Sequence, residues 1–411
     1  MQGKQSVAVM VALLLHATAA GAQATETPNL LFNGFGTVGV IHSDEDQADF
    51  VPNIFASDGA GHTRDWSFEV DSRLGLQLTT NLTPRLSGVV QVVAEQRHDD
   101  SYSPLVEWAN FKFDITPDWS VRAGRIVLPI FMVSEYRKVG YAIPWVRPPV
   151  EVYRLVPVGS NDGIDVTYRT HFGEATNTLS GNYGRKDVTT ASGGKVRARD
   201  GVTVTDTLER GPLTLFAGYT RTRVTIEEAQ PLFDAIVQFG PQGAALAERY
   251  DADGKHLEIM RVGARYDPGD WFVMGEWARS SSRTFIGDKR AWYLTGGYRF
   301  GSVTPYITLA RARVETVTSD PGLAVAGLPP PRAAQAAALN ATLNRLLGSA
   351  PEQQSLSLGV RWDFARNFAL KVQFDHLNLD AGSAGVLVNE QPGFRRGGTA
   401  SLFSATVDFV F

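Results

Sequence analysis

Trp66–Thr79 reads WSFEVDSRLGLQLT. Its even positions carry Trp66, Phe68, Val70, Ser72, Leu74, Leu76 and Leu78, and its odd positions carry Ser67, Glu69, Asp71, Arg73, Gly75, Gln77 and Thr79. Successive side chains of a strand point to opposite faces, so this stretch presents one apolar and one polar face. The alternation runs for about ten residues or more, the length a tilted strand needs to cross a bilayer and longer than most strands of soluble sandwiches. The pattern returns at Ile164–Arg169, Leu356–Phe364 and Phe368–Asp375, and in the last strand, where Ser404, Thr406 and Asp408 alternate with Phe403, Ala405, Val407, Phe409 and Phe411.

Working outward, such runs place strands at 31–42, 66–79, 86–96, 105–114, 119–127, 162–171, 176–186, 201–208, 212–225, 256–266, 271–280, 290–299, 305–314, 355–364, 368–378 and 401–411. The connections alternate in length. Short turns fall at 80–85, 115–118, 172–175, 209–211, 267–270, 300–304 and 365–367. Long gaps fall at 43–65, 97–104, 128–161, 187–200, 226–255, 281–289, 315–354 and 379–400. Short turns on one rim and long loops on the other, around an even strand count of about sixteen, define an all-β transmembrane antiparallel barrel with long extracellular loops. Within two of those loops, Gln230–Tyr250 and Arg332–Leu347 are rich in helix formers, the latter following three prolines, and are expected to form short rim helices.

The amino terminus agrees. Lys4, the apolar run Val7–Leu15 and the small residues that follow form a secretory signal peptide, 1–24, ahead of a mature barrel at 25–411. The chain has 411 residues, 39 Lys plus Arg against 43 Asp plus Glu, a net charge of -4 and no cysteine. That balance excludes a nucleic-acid binder relying on a basic field, and the missing thiol excludes disulfides, cysteine nucleophiles and thiolate metal sites. No G-x-S-x-G, H-E-x-x-H or H-x-x-x-H spacing is present, so no catalytic residue, metal ligand or cofactor is assigned. Gly34–Gly39 fits G-x-G-x-x-G but lies inside a strand with no helix opening after it, so it is not read as a nucleotide loop.

Strand count, terminal Phe411 and the length of the loop after the fifth strand make the chain resemble the Gram-negative porins over essentially its whole mature length. RAGRIVLP, Arg122–Pro129, is similar to a strand-to-loop signature of several porin groups, phosphate-selective and dicarboxylate-type ones among them. The resemblance implies outer-membrane localisation, a homotrimer, contact with lipid and lipopolysaccharide, and a carboxy-terminal signal, Phe409 and Phe411, read by the barrel-assembly machinery. It also implies that loop 128–161 folds inward as a constriction.

A channel works by width and wall charge rather than covalent chemistry. An inward loop brings Glu135, Arg137, Lys138, Arg147, Glu151 and Arg154 to the lumen, beside Arg122 and Arg125 at its start. Alternation puts Arg125 outward unless Gly124 is a bulge. The wall adds Glu69, Asp71, Arg73, Asp165, Arg169, Arg261, Arg265, Arg299, Arg361 and Asp363 at lumen parity. Acids facing arginines also brace a wall by mutual neutralisation, so both roles are open. Tyr141, Trp145 and Tyr153 either pack the loop or contact solute. The expected function is passive diffusion of small hydrophilic solutes. A selective dicarboxylate or phosphate channel is the alternative within the class, and a barrel enzyme or adhesin the alternatives outside it.

Overall fold

The computed structural model describes residues 30–411; the signal peptide expected at 1–24 lies outside them. Among the described residues, sixteen long strands form the barrel. They are β1 (Leu30–Ser43), β2 (Arg73–Thr83), β3 (Leu86–Glu95), β4 (Leu105–Asp114), β5 (Trp119–Val127), β6 (Ser160–Phe172), β7 (Ala175–Thr189), β8 (Lys195–Arg210), β9 (Leu213–Ile226), β10 (Lys255–Tyr266), β11 (Trp271–Ser282), β12 (Lys289–Tyr298), β13 (Val303–Val314), β14 (Gln353–Ala365), β15 (Phe368–Leu379) and β16 (Thr399–Val410). Every neighbouring pair is antiparallel, and β1 pairs with β2 on one side and β16 on the other, which closes the sheet and leaves no free edge. No helix among the described residues is long and apolar enough to cross a membrane.

The alternation expected from sequence becomes two faces. Leu76, Leu78, Phe111, Phe113, Ile164, Leu294, Ile307 and Leu358 are exposed on the outside. A soluble fold would have no partner for such a belt; a bilayer supplies one. Aromatics cluster where strands approach the short turns, among them Trp119 stacked on Tyr168 with centroids 4.5 Å apart and Tyr298 beside Phe300 at 4.6 Å. This is the interfacial girdle of a membrane barrel.

The seam between first and last strands explains Gly34 and Gly36. A Cβ at Gly34 would fall within the Phe411 ring, and one at Gly36 within the Phe409 ring. Those glycines are a seat for the closing strand's aromatics, in register through Gly36↔Phe409.

Two expected boundaries are corrected. Residues 68–72 are not strand: only Trp66–Ser67 pairs with β1 before β2 begins at Arg73. Residues 187–200 are not a long loop: β7 and β8 run on to Thr189 and Lys195 and turn tightly between them. The expected helices form as α1 (Gln230–Val237), α2 (Pro241–Tyr250) and α3 (Pro330–Leu347), and bury Phe233, Ile236, Leu246, Leu343 and Leu347 against one another on the long-loop rim.

Candidate functional site: the inward loop and the lumen wall

The loop after β5 leaves the wall at Leu128 and rejoins it at Ser160. Ile130, Phe131, Val133, Ile143, Trp145, Val152 and Tyr153 are buried in one cluster with inward residues of β10 to β13, including Ile259, Phe272, Tyr293 and Tyr306. The loop therefore lies inside the barrel, packed against that wall. Trp145 illustrates how it is seated: its indole is buried edge-on to Tyr293, and Nε1 donates to Thr295 and Thr308 at 3.0 and 3.1 Å. Tyr153 Oη donates to Glu276 at 2.7 Å. Of the two readings of these aromatics, packing is the one realised for Trp145 and Tyr153.

Charged groups fasten the loop to the opposite strands. Arg147 Nη2 bonds Asp71 at 2.6 Å and Ser404 at 2.7 Å, and Nη1 bonds Asp375 at 3.1 Å. Lys371 Nζ donates to the carbonyls of Gly140 and Trp145 and pairs with Asp408 at 3.0 Å. Arg361 Nη1 donates to the Tyr141 carbonyl at 2.7 Å while its other nitrogens hold Asp363. Arg261 reaches the Pro129 carbonyl at 3.3 Å. These cations serve as anchors, because backbone carbonyls inside a lumen otherwise lack donors.

The other face of the loop meets β3 to β6 through a polar strip. Lys138 pairs with Glu95 at 2.6 Å and Glu107 at 3.0 Å. Arg122 holds Asp165 through a 2.6 Å bond and lies 3.8 Å from Glu135, whose side chain is 59% exposed. Arg137 donates to the Val156 carbonyl. Arg169 is exposed on the inward parity of β6, and Arg73 is half-buried on β2. At the short-turn rim Arg299 pairs with Asp267 at 2.7 Å, and Arg265 pairs with the same carboxylate.

Several expected site residues lie elsewhere. Arg125 is not in the lumen: it pairs outward with Asp162 at 2.7 Å, at the parity of exposed Ile164. Gly124 has φ +126, yet the β4–β5 register is continuous, so no parity change follows. Glu69, in the irregular 68–72 segment, joins Asp58 and Asp100 around Arg64 near the long-loop rim. Burial pushes its carboxyl above the usual range, against the pull of Arg64. Arg147 and Glu151 are buried, so neither meets solute directly. Glu151 accepts from Gln353 at 2.6 Å, and burial raises its carboxyl.

Sequence parity missed Glu107. It is the extra residue of a bulge, since Gln91 faces Trp108 while Val92 faces Val106, and the bulge turns it inward to Lys138. Lys289 was also missed, because it begins β12 where a loop was expected to end. The adjacent Asp375 and His376 point to opposite faces: Asp375 is buried under Arg147, and exposed His376 lies 3.4 Å from Ser401 Oγ on the outside, with no carboxylate orienting it among the described residues.

No protein-family model matches the chain, and no curated protein matches it. Solved structures do. The outer-membrane channel DcaP of Acinetobacter baumannii superposes with a TM-score of 0.56 at 13% identity, covering 95% of this chain and 100% of that one. OmpF of Salmonella typhi, solved with daunomycin, gives 0.54 at 14%, covering 93% and 97%. An anion-selective porin from Comamonas acidovorans gives 0.53 at 14%, covering 93% and 99%. The fold is that of the Gram-negative outer-membrane porins.

Proposed function

We propose that this chain is a passive outer-membrane channel for small hydrophilic solutes. The observation that carries the reading is the inward loop, fastened to the wall on one side and presenting Glu135, Arg137 and Lys138 to the charged strip of β3 to β6 on the other. A rigid loop narrows a lumen, and the strip beside it gives passing solutes polar partners in place of lost water. Many wall charges have an opposite partner while Arg73, Arg169 and Arg261 make no ion pair among the described residues, so the field along the strip is mixed. That favours a general channel with mild ion preference over a dedicated phosphate or dicarboxylate site. Swelling of liposomes carrying the refolded protein, in sugars of graded size, tests this. Entry should fall off with solute size, and exclusion of every sugar from liposomes holding folded barrel contradicts it.

The same reading places the protein in the outer membrane as a homotrimer delivered by the barrel-assembly machinery, with Phe409 and Phe411 as the signal. Lipopolysaccharide contact is supported by a cross-strand row of outward arginines, Arg279↔Arg290↔Arg313, directly above exposed Trp277 and Trp292. Phosphate groups suit such a row. For the enzyme alternative, the His376–Ser401 contact has no orienting acid among the described residues, and the adhesin alternative would use the rim helices.

A further inference from the structure

Above the inward loop, toward the long-loop rim, lies a cavity of about 540 Å³. Its walls are mostly apolar, and Leu128, Ile130, Val224, Ile259 and Val386 are among them. A mostly apolar chamber is unexpected in a passage for hydrated solutes, because apolar wall returns nothing for lost hydration. Its size is ordinary for a small-molecule site.

Several cations line it, with Glu151 and Glu390. Arg396 is paired with Glu390 and Lys186 is held by Ser160, whereas Arg154 and Lys289 make no ion pair among the described residues. Arg154 follows the Val150–Tyr153 helical turn, which packs against β12, and Lys289 begins that strand. Arg154 Nη1 donates to the Val386 carbonyl at 2.6 Å, while its Nε is buried without a partner. The Lys289 ammonium makes no hydrogen bond or ion pair among the described residues. The nearest acid, Glu151, is held by Gln353 and does not come within ion-pair reach of Arg154. Arg154 and Lys289 are near enough to repel each other. Burial pushes the Arg154 guanidinium down to about 10, so it stays charged at neutral pH. Two other buried lumen cations, Arg147 and Lys371, are neutralised by carboxylates. Here Arg154 and Lys289, neither in an ion pair among the described residues, face a mostly apolar space.

We propose that this cavity is a recognition site for amphipathic monocarboxylates, molecules with one carboxylate on an aryl or alkyl body, and that it selects them on entry to the channel. The inference rests on the channel reading and supplies its substrate class. The carboxylate lies between Arg154 and Lys289 and relieves their repulsion, and the apolar body fills the chamber. A short dicarboxylate such as succinate has no apolar body to fill the chamber. Inorganic phosphate has no apolar body to gain from the wall. A neutral aromatic brings the body without the anion.

Calorimetric titration of the refolded protein in detergent tests the site without reference to conduction. The probes are 4-phenylbutyrate, 4-phenylbutanol, butyrate and succinate. Phenylbutyrate should bind about tenfold or more tightly than each of the others, the factor expected for one charge-assisted contact or a buried ring. Lys289→Gln should weaken phenylbutyrate by a similar factor and Lys289→Arg should restore it. Heat-dependent migration on gels reports which variants have folded, and if Lys289→Gln does not fold, the probe series and Lys289→Arg still decide. Equal affinity for phenylbutanol, equal affinity in folded Lys289→Gln, or no phenylbutyrate binding overturns the site. Conductance in potassium chloride, read separately, tests the channel. Conduction without phenylbutyrate binding overturns the site alone, whereas binding without conduction overturns the channel reading and leaves a binding barrel.

Discussion

Arg147 and Asp71 stand 76 residues apart in sequence and meet side by side in the lumen, with the guanidinium 5% and the carboxylate 0% exposed. Asp375 shares the same guanidinium from β15. One loop residue thus gathers carboxylates from two separate parts of the wall.

Removing it should release the loop. In Arg147→Leu two buried carboxylates lose their cation, a loss that costs about 3–5 kcal/mol where one partner of a buried pair is deleted. The expected result is noisier single-channel current with more open-state levels, and a lower temperature for conversion to the unfolded form on gels. The triple variant Arg147→Leu, Asp71→Asn, Asp375→Asn should also free the loop but with a smaller loss, since no charge is stranded. Current traces of both variants identical to wild type would remove Arg147 as the latch.

The closing seam makes a separate prediction. Gly36 has no room for a Cβ because the Phe409 ring covers it. Gly36→Val should displace that ring and cost about 1–3 kcal/mol by overpacking. The yield of heat-modifiable barrel should fall, while Gly173→Val, at an open turn, loses only what its φ of +60 imposes. Pairing β1 with β16 closes the sheet, so the yield of closed barrel reads the effect directly.

At the short-turn rim, hydrogen bonds from Arg299 and then Arg265 hold the Asp267 carboxyl down at about 2. A carboxyl depressed in the fold contributes stability that is present above its unfolded value near 3.9 and is lost as pH falls through about 2. The thermal midpoint of wild type should therefore drop between about pH 4 and pH 2. Asp267→Asn should start lower and lose that component of the slope. Parallel curves for the two proteins over this window would contradict the assignment.

Arg169 faces the lumen exposed and without a carboxylate partner among the described residues. Arg169→Glu changes the local charge by two units at a point where solute passes. The reversal potential under a salt gradient should move toward cations. Arg125→Glu, altering an outward residue, should leave the reversal potential where it was.

The barrel was legible because its signal is local. Alternation, turn chemistry and loop lengths each reside in a few consecutive residues, so sixteen strands, the long loop 128–161 and the rim helices are readable from the chain. The failures have physical causes. Residues 68–72 alternate as a strand does, yet Asp71 is drawn to Arg147 and Glu69 to Arg64, and the backbone leaves the ladder to deliver them. Residues 187–200 lack clean alternation because that hairpin rises beyond the apolar belt and has charges on both faces, among them Arg199 with Asp187. Within the site, parity named the wall charges but not their partners. The anchors of Arg147, Lys371 and Arg361 lie across the barrel, and no spacing along the chain encodes them. Glu107 escaped because a one-residue bulge reverses parity without a glycine to announce it.

The central claim is that this barrel conducts and that the inward loop sets how much. Single-channel recording of the refolded mature protein in a planar bilayer, wild type beside Arg147→Leu, tests it most directly. The account predicts discrete conductance steps in wild type with a modest ion preference, and larger or noisier steps once the latch is cut. Properly folded wild-type barrel that passes no current, and still passes none with Arg147 removed, would contradict it.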